Sequence, residues 1–201
     1  MKKKQTNRES LDLNSELVKN YLEEWKKSSA KVHMETLDQL FADLPSNTDK
    51  KAILKKIDKI NRLYHARVYN SHKEIIAECI SKMEFDSRLK SGDITLVKNL
   101  CSEVKKQSGR YYQSFFSKYC SFCNSDAFPI YDNLVLGVLK DFCENGFLCG
   151  FRPSALRDYE VYCKAIQTLR DSYPFLKSYP FRDMDHWLWP MGGEKQKEKQ
   201  N

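Results

Sequence analysis

The chain has 201 residues, of which 41% are hydrophobic and 12% aromatic, and this composition favours a folded globular domain over intrinsic disorder. The formal net charge of +7 permits contact with a polyanion but does not by itself indicate one. No apolar run approaches the ~18–20 residues of a membrane helix, and no apolar signal core follows the first lysines, so we expect a cytoplasmic protein without membrane contact. Seven cysteines, an odd number, favour reduced thiols over a disulfide framework.

Apolar residues recur at helical spacing along most of the chain, and turn residues separate the patterns. The patterns run, in order, from Leu13 to Trp25, Met34 to Phe41, Ile53 to Tyr64, Ile75 to Met83, Val97 to Val104, Tyr112 to Tyr119, Leu134 to Phe142, Tyr159 to Leu169 and Met184 to Leu188. Because no strand-like alternation persists, we predict an all-α fold. We expect one helical domain at 9–193, with a division into two lobes around a cleft left open, and disordered tails at 1–8 and 194–201.

Polar residues at the ends of these patterns predict helix boundaries. Ser71 and Glu74 have the spacing of a capping box, and Asp93 and Ser154 are candidate N-caps for the helices that follow them. Pro190 is expected to end a short last helix.

A lysine and an aspartate are the strongest candidates for a functional site. Pro129 biases the residue before it away from helix, so residues 128–131 should be extended and Asp132 should be the N-cap of the next helix. The helix dipole there favours an ionised carboxylate. Lys118 lies fourteen residues earlier on an aromatic-rich helix, so the two side chains could converge on one cleft. A structural cap and a solvated lysine remain the alternative interpretation.

Two short segments around this pair resemble the lysine–aspartate core of helix-hairpin-helix DNA glycosylases. Ser117–Cys120 is similar to the lysine segment, and Phe128–Asp132 is similar to the proline-containing link and the aspartate. The resemblance implies a divergent two-lobed helical bundle. It also implies that Lys118 attacks the sugar C1′ to form a Schiff base, while Asp132 supports an oxocarbenium-like transition state. Gln113–Ser117 departs from the family, because the glycines of the usual hairpin are absent.

The resemblance also implies a pocket for a base that has been flipped out of double-stranded DNA. Its candidate walls are aromatic: Tyr112, Phe122, Tyr131 and Trp187. Packing in the hydrophobic core is the alternative role for Trp187. Candidate phosphate contacts are basic residues that are otherwise expected to be solvated surface charges: Lys98, Lys105, Lys106 and Arg110.

A second resemblance covers more of the chain, from about residue 50 to 193. It is to a family of uncharacterised bacterial proteins that share the lysine-tyrosine-cysteine and phenylalanine-proline-isoleucine-tyrosine-aspartate segments and end in a similar Trp-Leu-Trp sequence. This resemblance implies no particular activity.

Four cysteines were considered as metal ligands. Cys120 and Cys123 form a CxxC pair, but Cys143 and Cys149 are further apart than the second pair of a structural zinc site usually is. We therefore favour buried thiols and assign no metal and no cofactor, while zinc binding by these four residues stays open.

The sequence thus predicts a DNA glycosylase-like base-excision protein that uses Lys118 and Asp132. The alternative is a non-catalytic helical module that binds nucleic acid or protein. The target base, the choice between DNA and RNA, and the oligomeric state are left open.

Overall fold

The computed structural model describes residues 13–198, and these residues form ten α-helices with no β-strand among them. The all-α prediction is confirmed for this part of the chain. The helices are α1 Ser15–Lys27, α2 Ser29–Asp43, α3 Lys50–Tyr64, α4 Lys73–Lys82, α5 Phe85–Lys90, α6 Thr95–Ser108, α7 Gln113–Cys123, α8 Asn133–Glu144, α9 Tyr159–Ser172 and α10 Phe181–Glu198.

The helices pack around one contiguous hydrophobic core. Helix α3 packs against α4 and α7, and α6 packs against α4 and α7. Helix α10 packs against α8 and α1, so the end of the described chain lies beside its beginning. Helix α7, which carries Lys118, is almost entirely buried, because every residue from Phe115 to Phe122 is enclosed.

Carboxylates cap three of the helices. Asp49 and Asp158 each accept hydrogen bonds from two backbone amides at the starts of α3 and α9. Asp132 caps α8 as predicted, because its Oδ1 accepts a hydrogen bond from the Leu134 amide at 2.9 Å. These side chains satisfy amides that have no partner within their helix.

The predicted capping box at the start of α4 is wrong. Ser71 lies in a short 3₁₀ turn, Asn70–His72, and α4 begins after it without a side-chain cap. Glu74 instead forms an ion pair with Lys50 of α3 at 2.7 Å. Glu74 therefore joins α4 to α3 instead of capping the start of α4.

The predicted start of α9 at Ser154 is also wrong. A 3₁₀ turn, Ala155–Arg157, follows this serine, and the helix begins only at Tyr159. Asp158 lies directly before it and supplies the capping carboxylate. Asp93 is not the predicted N-cap of α6, because Ile94 holds that position, but its Oδ1 still accepts a hydrogen bond from the Thr95 amide at 3.1 Å.

The last helix differs most from the prediction. It passes through Pro190 and continues to Glu198, whereas the sequence predicts a short helix that is followed by a disordered tail. Proline removes one helical hydrogen bond, but the fully buried Met191 keeps the segment packed in the core. Lys195 also pairs with Asp141 of α8 at 3.3 Å. The tail predicted at 1–8 and the last three residues of the chain lie outside the described residues.

One glycine brings α10 close to the start of α8. A Cβ added to Gly192 would lie 2.7 Å from the Leu134 carbonyl oxygen and 2.8 Å from the Leu134 Cβ. Only a residue without a side chain fits this approach. Because Leu134 is two residues after Asp132, the contact helps to fix the end of α8 that carries the candidate site.

Candidate functional site

The structure brings Lys118 and Asp132 together. The lysine Nζ lies 3.6 Å from the aspartate Oδ2, and it also donates hydrogen bonds to Ser114 Oγ at 2.8 Å and to the Tyr131 carbonyl at 3.4 Å. The lysine side chain is 4% exposed and the aspartate side chain 25%. The amine is therefore enclosed, while the carboxylate reaches the surface.

The link before Asp132 leaves the helical conformation, as Pro129 predicts, and hydrogen bonds hold it on both sides. The Tyr131 amide donates a hydrogen bond to Ser117 Oγ at 3.0 Å, which attaches the link to α7. On the other side, the hydroxyls of Tyr159 and Tyr162 donate to the carbonyls of residues 129 and 130 at 2.8 and 2.7 Å. These bonds satisfy buried backbone groups and fix the position of the carboxylate relative to Lys118.

A second carboxylate, Asp185 of α10, belongs to the same cluster. Its Oδ1 is buried and has no hydrogen-bond partner among the described residues. Burial, and then the negative charge of Asp132, raise the pKa of Asp185 to about 7, against the opposing effect of the Lys118 and Arg182 cations. Near neutral pH this side chain is therefore present both as an acid and as a carboxylate.

Arg182 holds the first turn of α10 against α7. Its guanidinium donates a hydrogen bond to the Ser121 carbonyl at 2.9 Å and lies 5.0 Å from the centre of the Phe122 ring. It also forms an ion pair with Asp38 of α2. Three helices are thus joined one turn away from Lys118.

Two tyrosines complete the cluster. The Lys118 amine lies 5.6 Å from the centre of the Tyr64 ring, which comes from α3. Burial, followed by the charge of Asp185, raises the pKa of both Tyr64 and Tyr162 well above the ordinary tyrosine value, so both phenols stay protonated and act as neutral hydrogen-bonding groups.

The four predicted aromatic pocket walls lie in different surroundings. Tyr131 packs against Tyr162 beside the pair, with ring centres 4.9 Å apart, and Phe122 lies under Arg182. Tyr112 bonds His72 Nδ1 at 2.7 Å through its hydroxyl. Trp187 is fully buried and stacks on Phe142, so it packs in the core and offers no surface to a ligand in this conformation. The structure thus associates two of the four aromatic side chains with the Lys118–Asp132 pair.

The predicted phosphate-binding residues are largely engaged with other side chains. Lys98 lies within 3.5 Å of the carboxylates of Asp158 and Glu160, and Lys106 pairs with Glu103 at 3.0 Å. The Arg110 guanidinium donates a hydrogen bond to the hydroxyl of Tyr69 at 2.9 Å, and Lys105 is exposed in the last turn of α6. These charges lie on the surface, and the acidic neighbours of Lys98 and Lys106 reduce the positive potential there.

The four cysteines considered as ligands do not form a cluster. Cys120 is buried, Cys123 and Cys143 are half-buried, and Cys149 is exposed. Within residues 13–198, no three side chains of His, Cys, Asp or Glu are arranged to hold a metal ion. Burial raises the pKa of Cys123 to about 12, so its thiol is protonated at neutral pH.

Sequence reasoning did not identify Asp185, Arg182 or Tyr64 as parts of this cluster. Asp185 and Arg182 come from a helix that was predicted to be short, and Tyr64 was assigned to the core by its helical spacing. The only local signal for these residues was that α10 begins with both acidic and basic side chains, a composition that many surface helices share.

Comparison with known proteins places the chain in a family. The family model HI_0787_N, which is described as an N-terminal domain, matches residues 17–127, more than half of the chain. The chain belongs to the HI_0787_N family. The matched segment contains Lys118 and ends before Asp132. An uncharacterised protein of Haemophilus influenzae is 30% identical over 142 residues, which cover 71% of this chain and 67% of that protein.

No solved structure matches this chain. Among its described helices, none is both long enough and apolar enough to cross a membrane.

Proposed function

We propose that this protein is a DNA glycosylase-like base-excision protein that acts on double-stranded DNA through Lys118 and Asp132. The position of Lys118 relative to Asp132 is the observation that best supports the proposal. An enclosed amine lies 3.6 Å from a partly exposed carboxylate at the start of a helix. The two groups come from separate helices and are held by bonds on both sides of the link, so the arrangement is rigid.

Each group has a distinct role in this proposal. Lys118 first loses one ammonium proton to solvent. Its Nζ then forms a bond to the sugar C1′, and the bond from C1′ to the departing base breaks. Asp132 stabilises the positive charge that develops on the sugar ring, because a fixed carboxylate in an enclosed site interacts strongly with such charge. Enclosure of the pair requires that the target nucleotide leaves the base stack before the reaction.

The helical architecture is consistent with a divergent helix-hairpin-helix glycosylase fold, and we include that fold, with its two lobes and intervening cleft, in the proposal. The lysine helix α7 packs with α3 and α6, whereas α8 packs with α10 and α9. Lys118 and Asp132 therefore come from two sets of packed helices. Of the two side chains, Asp132 is the more exposed, at 25% against 4% for Lys118.

Base release from lesion-containing duplexes tests the proposal. We expect Asp132→Asn to abolish release of uracil or 8-oxoguanine, while its circular dichroism spectrum remains that of the folded wild type. Asparagine is an equally good N-cap, so the substitution removes the charge and keeps the hydrogen bond to α8. Asp158→Asn is the matched control, since Asp158 caps α9 and has no bond to Lys118. A fully active Asp132→Asn protein would exclude the assignment.

A second candidate function is a non-catalytic helical module that binds nucleic acid or protein. The observation that favours it is the complete engagement of the Lys118 amine by Ser114, Tyr131 and Asp132. In that case the pair joins α7 to α8 as a structural ion pair. Duplex binding without base release or covalent trapping would support this function.

A further inference from the structure

The candidate site contains two carboxylates in different surroundings, and the proposed mechanism uses only one. Asp132 accepts an amide hydrogen bond at the start of α8, and its Oδ2 lies 3.6 Å from the Lys118 Nζ. Asp185 has a buried oxygen without a hydrogen-bond partner among the described residues. Two carboxyl groups in different surroundings are the usual arrangement for acid and base roles at one site.

The position of Asp185 follows from the anchoring of α10. Arg182 donates to the Ser121 carbonyl of α7, and Asp185 lies one helical turn further along α10. Lys118 lies one turn before Ser121 on α7. The charges of Lys118 and Asp132 both act on the Asp185 carboxyl group, which places all three in one cluster. Residue Asp185 as a whole is half-buried, whereas its Oδ1 is enclosed.

We infer that Asp185 is the general acid that protonates the departing base. This inference rests on the proposed function and deepens it. When the bond between C1′ and the base breaks, its electron pair passes to the base nitrogen, which then takes the Asp185 proton. Asp185 becomes a carboxylate, and the Lys118 Nζ forms the new bond to C1′ and releases a proton to solvent. Protonation by a positioned acid typically contributes about 10²–10⁴-fold in rate.

Charged and titratable groups from four other parts of the chain interact with Asp185. Tyr64 of α3, Lys118 of α7, Asp132 before α8 and Tyr162 of α9 interact with its charge, together with Arg182 on its own helix. Both tyrosines stay neutral. With a pKa of about 7, Asp185 is protonated below neutral pH, so base release should decline as pH rises above that value.

Single-turnover kinetics of Asp185→Asn test the inference. The probes are duplexes that carry uracil or 5-fluorouracil, whose anion is the better leaving group, and a duplex with a preformed abasic site. We expect Asp185→Asn to release uracil about 10²-fold or more slowly than the wild type. We also expect it to lose the decline in rate above pH 7 and to recover part of the rate on 5-fluorouracil. Borohydride trapping on the abasic duplex should be unchanged, because that substrate has no base to protonate.

A matched control lies two residues away on the same helix. Asp183 is 41% exposed and contacts His186, so Asp183→Asn should keep the rate and pH profile of the wild type. If Asp185→Asn retains both the rate and the decline above pH 7, Asp185 is not the general acid, although the proposed function stands. A wild-type protein that neither releases base nor becomes trapped on any of these duplexes would overturn the proposed function, and this inference with it.

Discussion

Gly192 provides a test of how α10 is packed against the start of α8. An added Cβ would lie 2.7 Å from the Leu134 carbonyl oxygen, a distance that side chains essentially never show. The next residue, Gly193, lies on the same helix, and an added Cβ there would meet nothing within 4 Å. We therefore compare Gly192→Ala with Gly193→Ala.

The expected difference follows from two opposing effects. Alanine is favoured over glycine inside a helix by about 1 kcal/mol, and both substitutions gain this contribution. Only Gly192→Ala also forces two backbones apart, and overpacking of this kind costs about 1–3 kcal/mol. Because the helix contribution cancels in the comparison, Gly192→Ala should be less stable than Gly193→Ala by about 1–3 kcal/mol.

Urea unfolding followed by circular dichroism measures both free energies. For a chain of this size the difference corresponds to about 2–4 °C in the unfolding temperature for each kcal/mol. Gly193→Ala should be equal to or more stable than the wild type. If the two variants agree within about 0.5 kcal/mol, α10 does not approach Leu134 as closely as the structure indicates.

Two further predictions concern stability. Asn47 is buried and bonds both the Tyr119 hydroxyl and the enclosed Lys56 amine, so Asn47→Ala should cost about 2–4 kcal/mol in urea unfolding, because it leaves buried polar groups without partners. Asn99→Ala on the exposed face of α6 should change little. The pKa of Asp185 is raised in the folded state from 3.8 to about 7, so its contribution to stability is present below pH 4 and is lost as pH rises to 7. As pH rises from 4 to 8, the free energy of unfolding of Asp185→Asn should therefore increase relative to that of the wild type by at least about 1 kcal/mol. This figure follows from ~1.4 kcal/mol for each pKa unit, reduced for partial exposure. Parallel stability profiles for the two proteins would contradict this prediction.

The parts of the fold that depend on local sequence were predictable. Pro129 predicted that the chain leaves the helical conformation before Asp132 and that Asp132 caps α8. Lys118 and Asp132 were identified because they lie on consecutive elements joined by a short link. Such features depend on only a few neighbouring residues.

The features that were missed depend on contacts between distant parts of the chain. Glu74 could have capped α4, but it pairs with Lys50, which is far away in sequence. Pro190 would end an isolated helix, whereas the buried surface of α10 keeps this one continuous. Asp185 lies in the cluster because α10 packs near α7, where Arg182 donates a hydrogen bond to the Ser121 carbonyl. Hydrophobic periodicity alone does not indicate which helices will be neighbours.

Borohydride trapping on a duplex with an abasic site tests the role of the Lys118–Asp132 pair most directly. We expect a covalent adduct on the wild-type protein, which peptide mapping locates to Lys118 and which Lys118→Gln abolishes. Lys82→Gln, which changes an exposed lysine on α4, is the control and should still form the adduct. An adduct that persists in Lys118→Gln, or a wild-type protein that binds the duplex and forms no adduct, would contradict the account.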